Sequence, residues 1–228
     1  MTDKSPLLAS DIAQLPQRWL IKHDDGRGIL PLGAPVLLTG RTGASKSLHR
    51  DHMIACITAA QDFADDCEVV HRGHAMLFNS EQSIERTAVP RVEAASADLT
   101  RLVIVPFFDK QGNSVCTTYD DVLREVREHC QRVKDATNGK ERVRLVMVDV
   151  LTDYGDVGAV NPRRVVPKFR TLAEQEDLTF VFVVHLREKS GVANTFAGMV
   201  SGKSGWTQVC PTHLWLREGP QEQEARRP

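Results

Sequence analysis

The stretch Leu37-Leu38-Thr39-Gly40-Arg41-Thr42-Gly43-Ala44-Ser45-Lys46-Ser47 decides how the chain folds. An apolar run enters a turn of small residues, meets Lys-Ser, and continues into a helical segment from near Leu48. Small residues let backbone N–H groups curl around phosphate oxygens, and a helix N-terminus adds donors and a favourable dipole. The stretch agrees with the phosphate-loop pattern G-x-x-x-x-G-K-[ST] at three of its four fixed positions. On this reading Gly40, Arg41, Thr42, Gly43, Ala44, Ser45, Lys46 and Ser47 cradle a nucleotide. Lys46 reaches the β- and γ-phosphates, and the Ser47 hydroxyl sits on Mg²⁺. Ser45 stands where the pattern has glycine, which puts a Cβ into a turn that glycine takes freely. An ordinary strand–turn–helix connection is the competing reading of the same residues.

Working outward, four more apolar runs follow at residues 75–79, 102–105, 145–148 and 180–184. All are nearly continuous rather than alternating, as strands covered on both faces should be. Amphipathic stretches separate them, so the rhythm predicts an α/β fold with a mostly parallel central sheet and helices on both faces. A weaker run at 212–216 adds an edge strand. Thr118 to Asp121 has capping-box spacing before a helix carrying Val122, Val126, His129 and Val133. Asn161-Pro162 reads as an N-cap with proline at the first helical position, and Pro167 makes that helix start late or bend. Residues 1–30 are expected to be loop-rich, with one apolar patch at Trp19-Leu20-Ile21. Residues 31–217 form the core, and the charged stretch 218–228 is expected to be disordered.

The composition bounds function without naming it. The chain has 228 residues, 41% hydrophobic and 26% charged, enough for one full core. Its 29 Lys+Arg against 30 Asp+Glu exclude a globally basic nucleic-acid coat, so any such contact needs a local patch. No apolar run approaches the roughly 18 residues that span a bilayer, and residues 1–6 lack the order of a secretory signal. Five cysteines without a CxxC pair read as reduced thiols, placing the chain in the cytoplasm.

Polar residues at the strand ends add chemistry. Asp149 closes the run 145–148, a position suited to orienting a Mg²⁺ shell. Glu81 follows the run 75–79, where a carboxylate suits polarising an attacking water; a helix-start acid near Ser83 is the alternative. His185 ends the fifth run, within reach of a γ-phosphate.

Taken together, these motifs resemble the RecA-like AAA ATPases of the RepA replicative-helicase type, found in plasmid and phage replication. The resemblance runs from about Leu30 to Leu216. It includes Phe78-Asn79-Ser80-Glu81-Gln82-Ser83, the helix with Pro90-Arg91-Val92-Glu93-Ala94-Ala95, Asp149-Val150-Leu151-Thr152, and Val184-His185-Leu186-Arg187-Glu188-Lys189. It implies a RecA-like P-loop NTPase with ATP and Mg²⁺ as cofactors. Lys46, Glu81 and His185 would be the catalytic set (phosphate lysine, base and sensor), and Ser47 and Asp149 the metal residues, the latter through water. It also implies a homo-oligomeric ring, commonly a hexamer, with single-stranded DNA in its channel. The chain departs from the family at Ser45, at Gln82 in place of aspartate, at Gly202-Lys203 in place of Gly-Ser, and at Pro211 in place of a candidate transition-state arginine. Arg187, Lys189, Lys203 and Arg217 are the nearby cations.

Channel-facing loops in this class follow the metal and sensor strands, here about 151–164 and 187–203. Arg187, Lys189 and Lys203 with interspersed glycines suit contact with a DNA backbone, and Phe196 suits stacking; a solvated loop is the plain alternative. Two loose metal-like clusters, His49/His52/Cys56 and Cys67/His71/His74, read as incidental. The expected activity is a helicase-type motor in replication or recombination. A module with the same fold but impaired turnover is the alternative.

Overall fold

Hydrophobic runs too long to alternate must be buried on both faces, and that requirement organises the chain. The computed structural model describes residues 15–41, 43–59, 61–64, 66–154, 161–185 and 205–216. Six strands form the main sheet: β3 (Pro35–Gly40), β5 (His74–Asn79), β6 (Leu102–Pro106), β7 (Val143–Asp149), β8 (Thr179–His185) and β9 (Thr212–Leu216). Their order is β6-β5-β7-β8-β3-β9, and every neighbouring pair is parallel. The expected edge strand is β9, beside β3.

Successive side chains on each strand go to opposite layers. Leu37, Met76, Phe78, Val146, Val148, Phe180 and Phe182 enter one core, while Val36, Leu38, Ala75, Leu77, Leu145, Met147, Val181 and Val183 enter the other. The first layer is covered by α3 (Tyr119–Thr137), α4 (Pro162–Glu176) and α5 (Gly205–Val209). The Phe169 ring of α4 meets Phe180 and Phe182 edge-on, with centroids 4.9 and 5.0 Å away. The second layer is covered by α1 (Lys46–Ala59), which buries Met53, Ile54, Cys56 and Ile57, and by Val92 of α2 (Val89–Ala94). A π-helical turn, Ile84–Ala88, leads into α2.

Local signals account for the helix ends. Thr118 caps α3 in a reciprocal capping box with Asp121, and Asn138 ends the helix in the left-handed conformation. Asn161 caps α4 by accepting from the Arg163 N–H. Contrary to a late start at Pro167, α4 begins at Pro162 and runs through that proline. The apolar face of Val166, Phe169, Leu172 and Ala173 outweighs the one backbone bond that proline removes near the helix start.

A second departure concerns the segment expected to be loop-rich. Residues 19–31 carry β1 (Trp19–His23) and β2 (Gly28–Pro31), which pair antiparallel with each other, and β1 also pairs with β4 (Cys67–Val69). Leu20, Ile21 and Leu30 are fully buried in the core that α1 shares. Both strands are short, and two register shifts interrupt their pairing, so the period-2 signal is too broken to read in the sequence. All five cysteines are buried and free of disulfides, and burial pushes the Cys56 thiol up to about 11 and that of Cys116 to about 12. Among the described residues no helix is long and apolar enough to cross a membrane. The stretches 187–203 and 218–228 lie outside the described residues.

Candidate active site

A parallel sheet brings all its strand C-termini to one edge, and the polar residues of this chain are concentrated there. Gly40 registers with His185 on β8 and with Leu216 on β9, while Asn79 registers with Asp149 on β7 and Pro106 on β6. Because β8 lies between β3 and β7, His185 stands between the phosphate loop and the Asp149 strand end.

Two described residues of the loop are left-handed. Gly43 has φ +84° and Ser45 has φ +57°. The position where glycine was expected therefore does take the left-handed conformation, which costs a residue with a Cβ roughly 1 kcal/mol. Gly40 is needed for a close approach: a Cβ there would lie 3.1 Å from the Leu216 carbonyl oxygen and 3.2 Å from the Ala44 Cβ. Lys46, at the first position of α1, is 7% exposed and donates from Nζ to the Gly40 and Arg41 carbonyls, each at 2.9 Å. Burial lowers its pKa from the ordinary lysine value, opposed by the negative charges of Asp149 and Glu81. The ammonium, the two carboxylates and the loop thus share one electrostatic neighbourhood. Ser47 is half-buried on the next position of the helix.

Glu81 faces His185, with Oε1 3.4 Å from Nε2, and both side chains are partly exposed. Glu81 is not the acid of the next helical turn. Ser83 caps that turn by accepting from the Arg86 N–H, and its first-turn acid is Glu85. The Ser80 N–H donates to the Asp149 carbonyl at 3.0 Å and its Oγ accepts from the Val150 N–H at 3.0 Å, tying the ends of β5 and β7 together, while the hydroxyl donates to Asp153 Oδ2 at 2.6 Å. Asn79 is 4% exposed; its Nδ2 donates to the Gln82 carbonyl and its Oδ1 has no partner among the described residues. A cavity of about 530 Å³ opens beside Asn79 and Ser80, walled by Phe107, Phe108 and Lys110. It lies against β5 and β6, away from the phosphate loop.

Asp149 holds the residue that the sequence reading missed. Arg50 of α1 is fully buried, and its Nη1 donates to Asp149 Oδ2. Its Nε and Nη2 reach Asp51 Oδ1 at 2.8 and 2.6 Å, and Nη2 lies 3.4 Å from Gln82 Oε1. The other oxygen of Asp51 accepts from Arg91 Nε at 2.8 Å. A signal for this was present: Arg50 shares a helical face with Met53, Ile54 and Ile57, at intervals of three, four and seven. A charge on the apolar face of a helix needs a buried partner.

The donors offered here are oxygens, a half-buried hydroxyl at Ser47, a buried carboxylate at Asp149 and a partly exposed one at Glu81. That chemistry fits Mg²⁺, which binds through few protein oxygens plus phosphates and water. The two incidental clusters do not gather as metal sites. His49 Nδ1 contacts the Ser45 carbonyl and His52 Nε2 the Phe63 carbonyl, while His74 Nε2 is 2.7 Å from Glu141. Cys67 instead meets His23 and Asp66, and their mutual hydrogen bonds account for that convergence. Pro211 is exposed just before β9. Thr42, Arg187, Lys189, Lys203 and Arg217 lie outside the described residues.

Strand order, the strand–turn–helix at residues 35–59 and aligned polar strand ends place the chain among α/β proteins of phosphate-loop type. Residues 5–191 match the AAA domain family, and the chain belongs to it. Among solved structures it is similar to the ATPase domain of G40P, with TM-score 0.57 and 11% identity over 85% of this chain and 73% of that one. That likeness is one of fold, and the fold is RecA-like. No curated protein sequence matches the chain.

Proposed function

We propose that the chain binds ATP with Mg²⁺ at the C-terminal edge of its sheet and hydrolyses it, as the motor domain of a helicase-type protein. The observation that carries this is the convergence of Lys46, Asp149, Glu81 and His185 beside a turn with Gly43 and Ser45 in the left-handed conformation. Lys46 exchanges its two carbonyl partners for phosphate oxygens, and the loop N–H groups and the start of α1 hold the remaining charge. Ser47 and Asp149 would hold Mg²⁺, which when bound neutralises charge on the β- and γ-phosphates. Glu81 accepts a proton from the attacking water, while His185, held against Glu81, contacts the γ-phosphate and registers its loss. Hydrolysis is then in-line displacement, with the protein supplying position and electrostatic stabilisation.

We extend the proposal to single-stranded DNA as substrate, through the 187–203 loop bearing Arg187, Lys189 and Lys203. It includes a homo-oligomeric, commonly hexameric, ring in the cytoplasm, acting in plasmid or phage replication or in recombination. Support comes from the motif resemblance and from membership of the AAA domain family. ATP hydrolysis with and without single-stranded DNA, combined with light-scattering mass, tests it. DNA-stimulated turnover by an oligomer is expected; a monomer indifferent to DNA overturns the motor reading. A second reading, a nucleotide-binding module with impaired turnover, is favoured by two observations: Ser45 in a left-handed turn and Pro211 in place of an arginine. ATP binding without hydrolysis in the oligomer, restored by Ser45→Gly, would select it.

A further inference from the structure

We propose that Arg50 is a built-in counter-cation of the metal carboxylate, which sets the site's affinity for divalent metal low. The inference rests on the reading of Asp149 as a metal residue. Asp149 is 5% exposed and its Oδ2 is engaged by a guanidinium that is itself fully buried. A carboxylate bonded to guanidinium has much of its charge neutralised where it stands, and a dication approaching it is repelled by the same cation.

The guanidinium is not free to swing away. Asp51, 1% exposed, takes its Nε and Nη2, Gln82 lies against Nη2, and Arg91 fixes Asp51 from the far side. The result is a buried chain of alternating charge, Asp149–Arg50–Asp51–Arg91, that links β7, α1 and α2. Arg50 offers a planar fork matched to two carboxylates at once, so it remains in place when a metal arrives. Gln82 belongs to the same arrangement. A neutral amide there leaves Asp51 and Asp149 as the acids bonded to Arg50 among the described residues, and it follows Glu81 directly in sequence. Metal binding at Asp149 therefore works against Arg50 and is felt at the segment carrying the proposed base. The chain would need a higher free metal concentration than its Asp149 alone suggests, and its affinity for nucleotide without metal would be unaffected.

The test is Mn²⁺ affinity in the presence of ADP, read by electron paramagnetic resonance of free Mn²⁺, so no turnover is needed. Arg50→Gln should tighten Mn²⁺ binding on the order of tenfold, because one unit charge is removed beside a dication. Arg50→Lys keeps the charge and should bind Mn²⁺ as the unsubstituted chain does. If Arg50→Gln does not fold, Arg50→Gln with Asp51→Asn and Arg91→Gln removes the rest of the buried charge chain with the same net loss of one positive charge, and carries the same expectation. Unchanged or weaker Mn²⁺ binding in the folded charge-removed variant overturns the proposal, as does tightening by Arg50→Lys equal to that by glutamine. Fluorescent ADP binding, measured both with Mg²⁺ and in EDTA, separates this from the site reading. If the unsubstituted chain binds no nucleotide, or Lys46→Ala binds it equally, the nucleotide site itself is wrong. If binding depends on Lys46 and Mn²⁺ affinity ignores Arg50, only the Arg50 proposal fails.

Discussion

Replacing Ser45 by glycine should stabilise the folded protein. Ser45 sits at φ +57°, in the region where a Cβ crowds its own backbone at a cost of roughly 1 kcal/mol. Glycine removes that crowding but loses more backbone entropy on folding, roughly 0.5–1 kcal/mol in ordinary positions. The entropy penalty is smaller here because the left-handed region is one that unfolded glycine already visits. The net expectation is a gain of about 0.5 kcal/mol, and for a chain of this length 1 kcal/mol moves Tm by about 2–4 °C. Ser45→Val sharpens the comparison, since a β-branched residue tolerates the left-handed region least. It should lower Tm by several degrees, on the order of 1–2 kcal/mol beyond serine. The assay is thermal unfolding of the three proteins without nucleotide, followed by circular dichroism. The order Gly above Ser above Val is expected. A glycine variant with Tm equal to or below that of serine would refute the strained-turn account of the loop.

Other expectations follow from the core and from one half-buried imidazole. Phe169→Ala removes a ring that packs on both Phe180 and Phe182 and on Tyr119, and should cost about 3–5 kcal/mol in urea unfolding. His129 has its pKa pushed down to about 4 by burial, by Arg132 and by His74. Its folded value lies below the unfolded one near 6.5, so the unfolded chain binds the extra proton as pH falls. Stability should therefore be intact above about pH 6.5 and decline as pH falls from there through about 4. His129→Gln should flatten that part of a plot of urea midpoint against pH, and an unchanged slope would remove His129 as the cause.

The layered fold was legible because buried parallel strands are written as unbroken apolar runs. Each of the five runs from 36 to 184 is a strand, and the weak run at 212–216 is the edge strand beside β3. The pair β1 and β2 was not legible, because its short strands and shifted register leave no clean period. In α4 the cap at Asn161-Pro162 was legible, and Pro167 did not delay the start: a local rule about one backbone bond lost to a whole apolar face. At the site, the strand-end residues Glu81, Asp149 and His185 could be named because a parallel sheet must deliver its C-terminal ends together. Arg50 could not be placed by motif, since its importance comes from partners 1, 32 and 99 residues away. The helical period marks Arg50 as a charge on an apolar face, but it does not say which distant residues pair with it.

The central claim, that this sheet edge hydrolyses ATP with Glu81 as base and Lys46 as phosphate ligand, is tested most directly by one measurement. Phosphate release from ATP in Mg²⁺ is compared for the unsubstituted chain, Lys46→Ala and Glu81→Gln, alongside ATP binding by each. The account predicts that Lys46→Ala loses binding and turnover together. Glu81→Gln should keep binding while turnover falls by about 10²–10⁴-fold, the contribution of a positioned proton acceptor. Turnover in Glu81→Gln equal to that of the unsubstituted chain, or activity surviving Lys46→Ala, would contradict it.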